Sequence, residues 1–456
     1  MSVTPNTEPG RACAGVDWAS KDHAVCLVDP DGEVRDRFTV SHDAAGLRSL
    51  VRRLLTSGVV EVGIERGDGP VVEALLQAEL TVLVITPGQV KHLRSRYGSA
   101  GNKDDRHDAY VLADVVRTDR RRLTPLVRPS AAITALRSAV RARRDLVQHR
   151  VAAANQLRAH LQNVFPAAVG LFSEIDSAIS LTFLERFTTQ AQADWLSPKR
   201  LSAWLSATGY SGRTSAEVLH ARLLAAPHGI LGPQAQLHAV ITLAFVTTLR
   251  TLNTQIATLA DSISAQLDLH PDAPIVTSLP RSGTVRAARL LAEIGDVRGR
   301  FPTADSLACL AGVAPSTRQS GKVKAVTFRW GADKQLRDAP CDFAGDSRRA
   351  NPWAADLYAR AITRGCDHPH AVRILARAWA HIIWRCWQDN VAYNPAAHGA
   401  LQTLRQPGLR QSPARFVLQL DVVLVLGPVV TDEHQHPQQL LNASPDKHLD
   451  TAPGDT

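Results

Sequence analysis

Three things are scarce in this 456-residue sequence, and each scarcity narrows what the chain can be. The six cysteines (Cys13, Cys26, Cys309, Cys341, Cys366, Cys386) contain no C-x-x-C pair and no regular framework, which argues against zinc spacings and disulfide scaffolds and predicts reduced thiols. No apolar run approaches the roughly 18 residues that a membrane span needs, and Met1 to Gly10 is polar, so the expectation is a cytoplasmic protein with no membrane partner. Acid is the minor charge: 43 Asp and Glu face 52 Lys and Arg, giving a net charge of +9 and a pI of about 9.5. The basic excess is concentrated. Between Lys91 and Arg150 stand fifteen Lys and Arg against six acids, a block that reads as a surface for polyanions.

Within that block lies the stretch around which the rest is organised, Asn102 to Arg117. Ala109, Leu112, Ala113 and Val116 recur at helical spacing, which places Asp105 and Asp108 on one face of a helix. Two carboxylates are half of a metal cage. Asp17, closing Ala12–Val16, and Glu65, closing Val59–Ile64, are candidates for the other half, because each follows a strand-like run at whose end a side chain emerges from a sheet. Asp104 is an alternative to Asp105, being spaced i,i+4 from Asp108. Carboxylates inside a basic surface suit a divalent metal that works on phosphates.

The order of elements supports convergence. Strands are predicted over Arg11–Val16, His23–Val28 and Val34–Val40, in a meander. A helix over Ala44–Thr56, a strand over Val59–Ile64, a helix over Pro70–Ala78 and a strand over Leu80–Ile85 follow. That is the order of an RNase H-like fold, in which the first strand, the fourth strand and a late helix meet at one sheet edge. Further on, Leu136, Val140, Val147, Ala154, Leu157, Leu161 and Val164 form an apolar seam with Arg143, Arg144 and Arg150 on a long basic helix. A second seam runs from Leu249 to Leu267, and a helical insert, Phe172 to Leu231, lies between them. The pair predicts an antiparallel hairpin, an intermolecular coiled coil or a helical bundle within the chain, and the seam favours a homo-oligomer.

Thr277 to Gly295 reads as a tight turn feeding a helix, whose N–H groups can hold a phosphate. After it, Ser320 precedes a glycine and is flanked by Arg318, Lys322 and Lys324, cations that would favour its alkoxide and an incoming phosphate. Pro340 is expected to kink or break the helix that follows. The tail holds an apolar run, Phe416 to Val430, and then a polar stretch with the composition of a disordered segment.

The segments G-V-D-W-A, I-E-R-G-D-G, K-D-D-R-H-D-A, L-A-E-I-G-D and L-A-G-V-A-P-S-T-R-Q-S-G, in this order, resemble the insertion-sequence 110 family of transposases over roughly residues 11 to 400. The resemblance implies an α/β RuvC-like catalytic domain over 11–125, coiled-coil helices with an insert over 130–270, a mainly helical serine-bearing transposase domain over 271–400, and a tail over 401–456. It implies that Asp17, Glu65, Asp105 and Asp108 bind Mg²⁺, as one or two ions, and that Ser320 attacks DNA. The family pattern K-x-D-x-x-D-A favours Asp105 over Asp104. The implied partners are double-stranded DNA at donor and target sites, a structured guide RNA and further copies of the chain, as a dimer or tetramer. Competing readings are a metal-dependent nuclease or resolvase that uses water, and an inactive nucleic-acid-binding relic.

Overall fold

The structure is a computed structural model that describes residues 12–97, 104–320 and 323–399. Asn102, Lys103, Lys322 and the tail with its Phe416–Val430 run lie outside the described residues, as does the side chain of Lys324.

Alternation of side chains builds the first unit. Strands β1 (Cys13–Asp17), β2 (Asp22–Val28) and β3 (Val34–Ser41) form the expected antiparallel meander. Helix α1 (Ala44–Thr56), begun by the Asp43 carboxylate accepting from Gly46 N–H, leads to β4 (Glu61–Ile64). Helix α2 (Pro70–Gln77), β5 (Thr81–Val84), α3 (Pro87–Arg94) and α4 (Asp105–Asp119) complete the unit. The sheet order is β3-β2-β1-β4-β5, with β4 parallel to both β1 and β5. Strand β1 is central because both of its faces are covered. Ala14 and Val16 pack with Leu50, Leu54 and Leu75 of α1 and α2, while Cys13 packs with Ala109, Leu112 and Ala113 of α4.

Glycines decide how close α4 comes. Gly15 and Gly63 are register partners on β1 and β4. A Cβ on Gly15 would stand 2.0 Å from the Ala109 carbonyl oxygen, and one on Gly63 would stand 2.8 Å from that of Leu112. The helix therefore lies directly on the backbone of the two strands that carry Asp17 and lead into Glu65.

The remainder is helical. Helix α5 (Ala131–Val164) is followed by the short helices α6 (Ala178–Arg186), α7 (Gln190–Asp194), α8 (Pro198–Ala207) and α9 (Ala216–Ala225), and then by α10 (Pro233–Asp268). The two long helices run antiparallel in the same chain: Ile133 and Leu136 share a core with Ile263 and Leu267, whereas Leu157 and Leu161 share one with Val246 and Leu249. Helix α10 is long and apolar enough to cross a membrane by length and composition alone, although no uninterrupted apolar run announces it. A helix that packs one side against a partner passes the same test.

Helices α11 (Ala273–Thr277), α12 (Thr284–Ile294) and α13 (Ala304–Leu310) precede a hairpin of β6 (Ser316–Ser320) and β7 (Val323–Thr327). Helices α14 (Lys334–Ser347), α15 (Pro352–Thr363) and α16 (His368–Gln388) close the core around Trp379, whose indole N–H donates to Ser347 Oγ at 2.9 Å. The predicted break at Pro340 does not occur, and α14 continues through it. Proline in a helix interior costs about 3 kcal/mol, but Leu336, Ala339, Phe343 and Ala344 are all buried around it, and burial of each large apolar side chain contributes about 2 kcal/mol. Packing outweighs the lost hydrogen bond.

Candidate functional site

All four predicted acids stand on, or directly after, elements that pack together. Asp17 is the last residue of β1, and Glu65 immediately follows β4. Val16 and Ile64 form the last pair of the parallel ladder, so Asp17 and Glu65 each follow it by one residue, at the adjacent ends of the two strands. Side chains alternate along a strand, so Asp17, two residues after Gly15, lies on the face covered by α4. The residues that follow Asp17 and Glu65 also meet: the Arg66 guanidinium lies 4.5 Å from the Trp18 ring centroid and ties the two strand ends together.

Helix α4 brings the remaining two. Asp108 sits one turn before Leu112, which rests over the paired glycines, and is only 2% exposed. Asp105 is exposed at the first position of the same helix, three residues earlier. Asp104 is the N-cap, its carboxylate accepting from Arg106 N–H, so that side chain already has a structural task. Among the described residues, no three acidic, histidine or cysteine side chains are closed into a metal cage.

A cation instead occupies this corner. Arg94, at the end of α3, grips Asp108 with a two-pronged ion pair through Nε and a terminal nitrogen. The Arg94 pKa is raised, first by its hydrogen bonds to Asp108 and also by attraction to Asp108, Glu65 and Asp17. All three acids thus act on one guanidinium. The sequence reading missed α3, although Thr86-Pro87-Gly-Gln89 carries its start signal: Thr86 and Gln89 form a capping box with proline at the first position.

Beside Asp17 lies a pair of histidines, His23 buried and His42 half-buried. Ala19 N–H donates to His23 Nδ1 at 3.3 Å, which leaves the proton on Nε2, and that nitrogen donates to His42 Nδ1 at 2.8 Å. Burial, then the neighbouring His42, lowers the His23 pKa.

The predicted nucleophile is elsewhere. Ser320 is exposed at the end of β6, and Arg318 is exposed on the same strand. Among the described residues, no hydrogen bond or ion pair joins either residue to the acid corner. Of the predicted basic contacts, Arg144 pairs with Asp338 and Gln335 of α14, and Arg150 pairs with Asp176 at 3.3 Å. Arg143 makes no ion pair among the described residues, and its Nε is buried without a partner.

Comparison with known proteins decides the family. Residues 14–166 match the DEDD transposase model of IS110, described as a transposase, and residues 273–359 match a model described as a transposase of the IS116/IS110/IS902 family. A Streptomyces coelicolor mini-circle protein, named as a transposase for IS117, is 31% identical over 392 residues, covering 82% of this chain and 93% of its own length. The chain belongs to the IS110 family of transposases. Two further relatives are the 42 kDa protein of insertion element IS900 from Mycobacterium paratuberculosis and the 44.8 kDa protein of IS116 from Streptomyces clavuligerus. The first is 29% identical over 84% of this chain and 97% of its own length. The second is 27% identical over 86% and 98%. The two matched segments of this IS110 transposase coincide with its two candidate sites: the first spans all four acids, and the second spans Ser320.

Proposed function

We propose that this transposase is a DNA recombinase whose N-terminal domain, 11–125, has the RNase H-like, RuvC-type fold and holds Mg²⁺ on Asp17, Glu65, Asp105 and Asp108. The observation that carries the reading is that Asp17 and Glu65 stand at the adjacent ends of the parallel strands β1 and β4, on which α4 is laid, with Arg94 drawn to three of the acids. Hard carboxylate oxygens at a place that already attracts a cation fit Mg²⁺ in donor type and charge. When bound, Mg²⁺ would polarise the phosphodiester and stabilise the developing charge on the leaving oxygen. For the ion to reach Asp108, Arg94 must let go.

Ser320 supplies the attacking oxygen in this reading. Its hydroxyl gives up its proton as an Oγ–P bond forms and the bond from phosphorus to the leaving deoxyribose oxygen breaks. That oxygen takes up a proton. The strand end stays joined to the protein, and the reverse reaction on another strand rejoins it. Exposure of Ser320 suits delivery of the hydroxyl by a separate unit, from residues 271–400 of this chain or of another copy in a dimer or tetramer. A structured RNA guide is part of the proposal and is supported by family resemblance and by the basic run through α5.

Incubating the protein with Mg²⁺, copurified RNA and duplex DNA tests the mechanism. A covalent protein–DNA adduct that disappears in Ser320→Ala is expected. Undiminished cleavage by Ser320→Ala would replace the serine with water and favour a nuclease or resolvase. Sequencing RNA that copurifies with the chain checks the guide, and recovery of only random fragments would remove it from the proposal.

A further inference from the structure

Between α5 and the start of α12 lies an open cleft of about 640 Å³ that the acid corner and Ser320 do not use. Helix α12 begins at Gly283 with φ +59, and no side chain caps it, so its first-turn N–H groups are left for another acceptor. Ser282, lining the cleft, is 1% exposed, and its Oγ has no hydrogen-bond partner among the described residues. Leaving a buried hydroxyl without a partner is unfavourable, so its persistence points to a ligand.

Cations surround this hydroxyl. Arg143, Arg144, Arg286 and Arg289 line the cleft against one carboxylate, Asp342, which Arg286 already engages at 3.0 Å. A terminal nitrogen of Arg289 is buried without a hydrogen bond and comes no nearer than 3.7 Å to Asp338. Arg143 Nε is likewise without a partner. Burial, followed by repulsion from Arg144, lowers the Arg289 pKa, and burial followed by repulsion from Arg150 does the same for Arg143. These are desolvated cations and donors gathered around one empty-handed hydroxyl, a composition that suits a compact anion with several acceptor oxygens.

We propose that the cleft binds a phosphodiester group of a nucleic-acid backbone, held by the first-turn N–H groups of α12, the Ser282 hydroxyl and the guanidinium groups of Arg143 and Arg289. These groups read phosphate and no base, so the site sets the position of the polymer and not its sequence. Farther along α5, Arg150 and Arg158 line a second cleft of about 630 Å³, where Glu174 and Asp176 offset them. The proposal rests on the transposase reading for its polymer but makes no use of the metal or of Ser320.

The test is titration of the full chain with labelled random-sequence duplex DNA and with RNA, by fluorescence anisotropy at several salt concentrations. Arg289→Gln should weaken binding several-fold on the polymer the site holds and reduce the salt slope by about 1, equally for all sequences. Ser282→Ala should weaken binding by about fivefold, the value of one hydrogen bond. Its thermal midpoint should stay level or rise, because the variant removes an unpaired buried group. An effect confined to DNA or to RNA identifies the polymer. Wild-type affinity and slope in both variants would overturn the site, as would a Ser282→Ala protein that loses stability but not affinity. A wild-type chain that binds neither polymer would overturn the transposase reading itself.

Discussion

The acid corner and the serine hairpin are built to opposite plans. Asp17, Glu65 and Asp108 come from two central strands and a helix laid onto glycine backbone, with Asp108 nearly sealed and Arg94 holding it. Ser320 ends a two-stranded ribbon and is exposed along with the neighbouring Arg318 and Gln319. One half of the proposed chemistry is fixed before any substrate arrives, whereas the other is presented at the surface. Under the proposed mechanism the contrast suits an enzyme that must not cut until its parts are assembled: the acids would wait, and assembly would deliver the hydroxyl.

The strongest way to break this comparison is to remove an acid. Asp17→Asn should reduce metal-dependent strand cleavage on the order of a thousandfold, while nucleic-acid binding measured in the same preparation stays intact. Cleavage at the wild-type rate would take Asp17 out of the chemistry.

Next in size is the glycine floor. Gly15→Ala sets a methyl carbon against the Ala109 carbonyl, so denaturant unfolding should show a loss of about 3 kcal/mol. An unchanged midpoint would mean that α4 is free to lift, and the acids would then not be preorganised.

Arg94→Gln sharpens the comparison further. Leaving a buried carboxylate without its partner should lower stability in chelator by about 2 kcal/mol, a figure reduced from that of fully buried pairs because Arg94 is 27% exposed. Added Mg²⁺ should then raise the melting temperature more in the variant than in the wild type, because the ion no longer competes with a guanidinium. Equal increments in a calorimetric titration would show that Arg94 does not guard the site.

The smallest effect concerns pH. Burial is the leading cause of the lowered pKa of His23, His160, His370, His381 and His398. Each therefore binds a proton more readily when unfolded. Stability should be fully present above about pH 6.5 and decline as pH falls from there toward the lowered folded-state values, with a slope of at most about 1.4 kcal/mol per pH unit for each group. His23→Gln should flatten that decline slightly in unfolding curves collected from pH 7 to 5, and a decline as steep as in the wild type would exclude His23 as a contributor.

Much of the fold could be read from the order of residues. The meander, α1 with its Ala44–Thr56 bounds, β4, α2 and β5 follow from local periodicity and turn residues, because strand alternation and helical spacing are written in short windows. Helix α3 was legible but unread, through its Thr86–Gln89 capping box. Other features had no local signature. The pairing of Gly15 with Gly63 depends on a register between segments 48 residues apart, and the grip of Arg94 on Asp108 depends on where two helices lie. Pro340 misled the reading because its local preference is real but is outweighed by Leu336 and Phe343, whose burial belongs to the assembled core.

By itself, the sequence determined the kinds of elements, the acids at the strand ends and the family, since each is carried by residue type and spacing along the chain. Only the tertiary structure decided that Asp17 and Glu65 stand at adjacent strand ends, that Arg94 stands among the acids as their counter-ion, and that the buried Ser282 hydroxyl shares a cleft with Arg143 and Arg289. The physical reason is range. Backbone preferences act over a few residues, whereas charge pairing, desolvation and close packing depend on distances that exist only once the chain has folded.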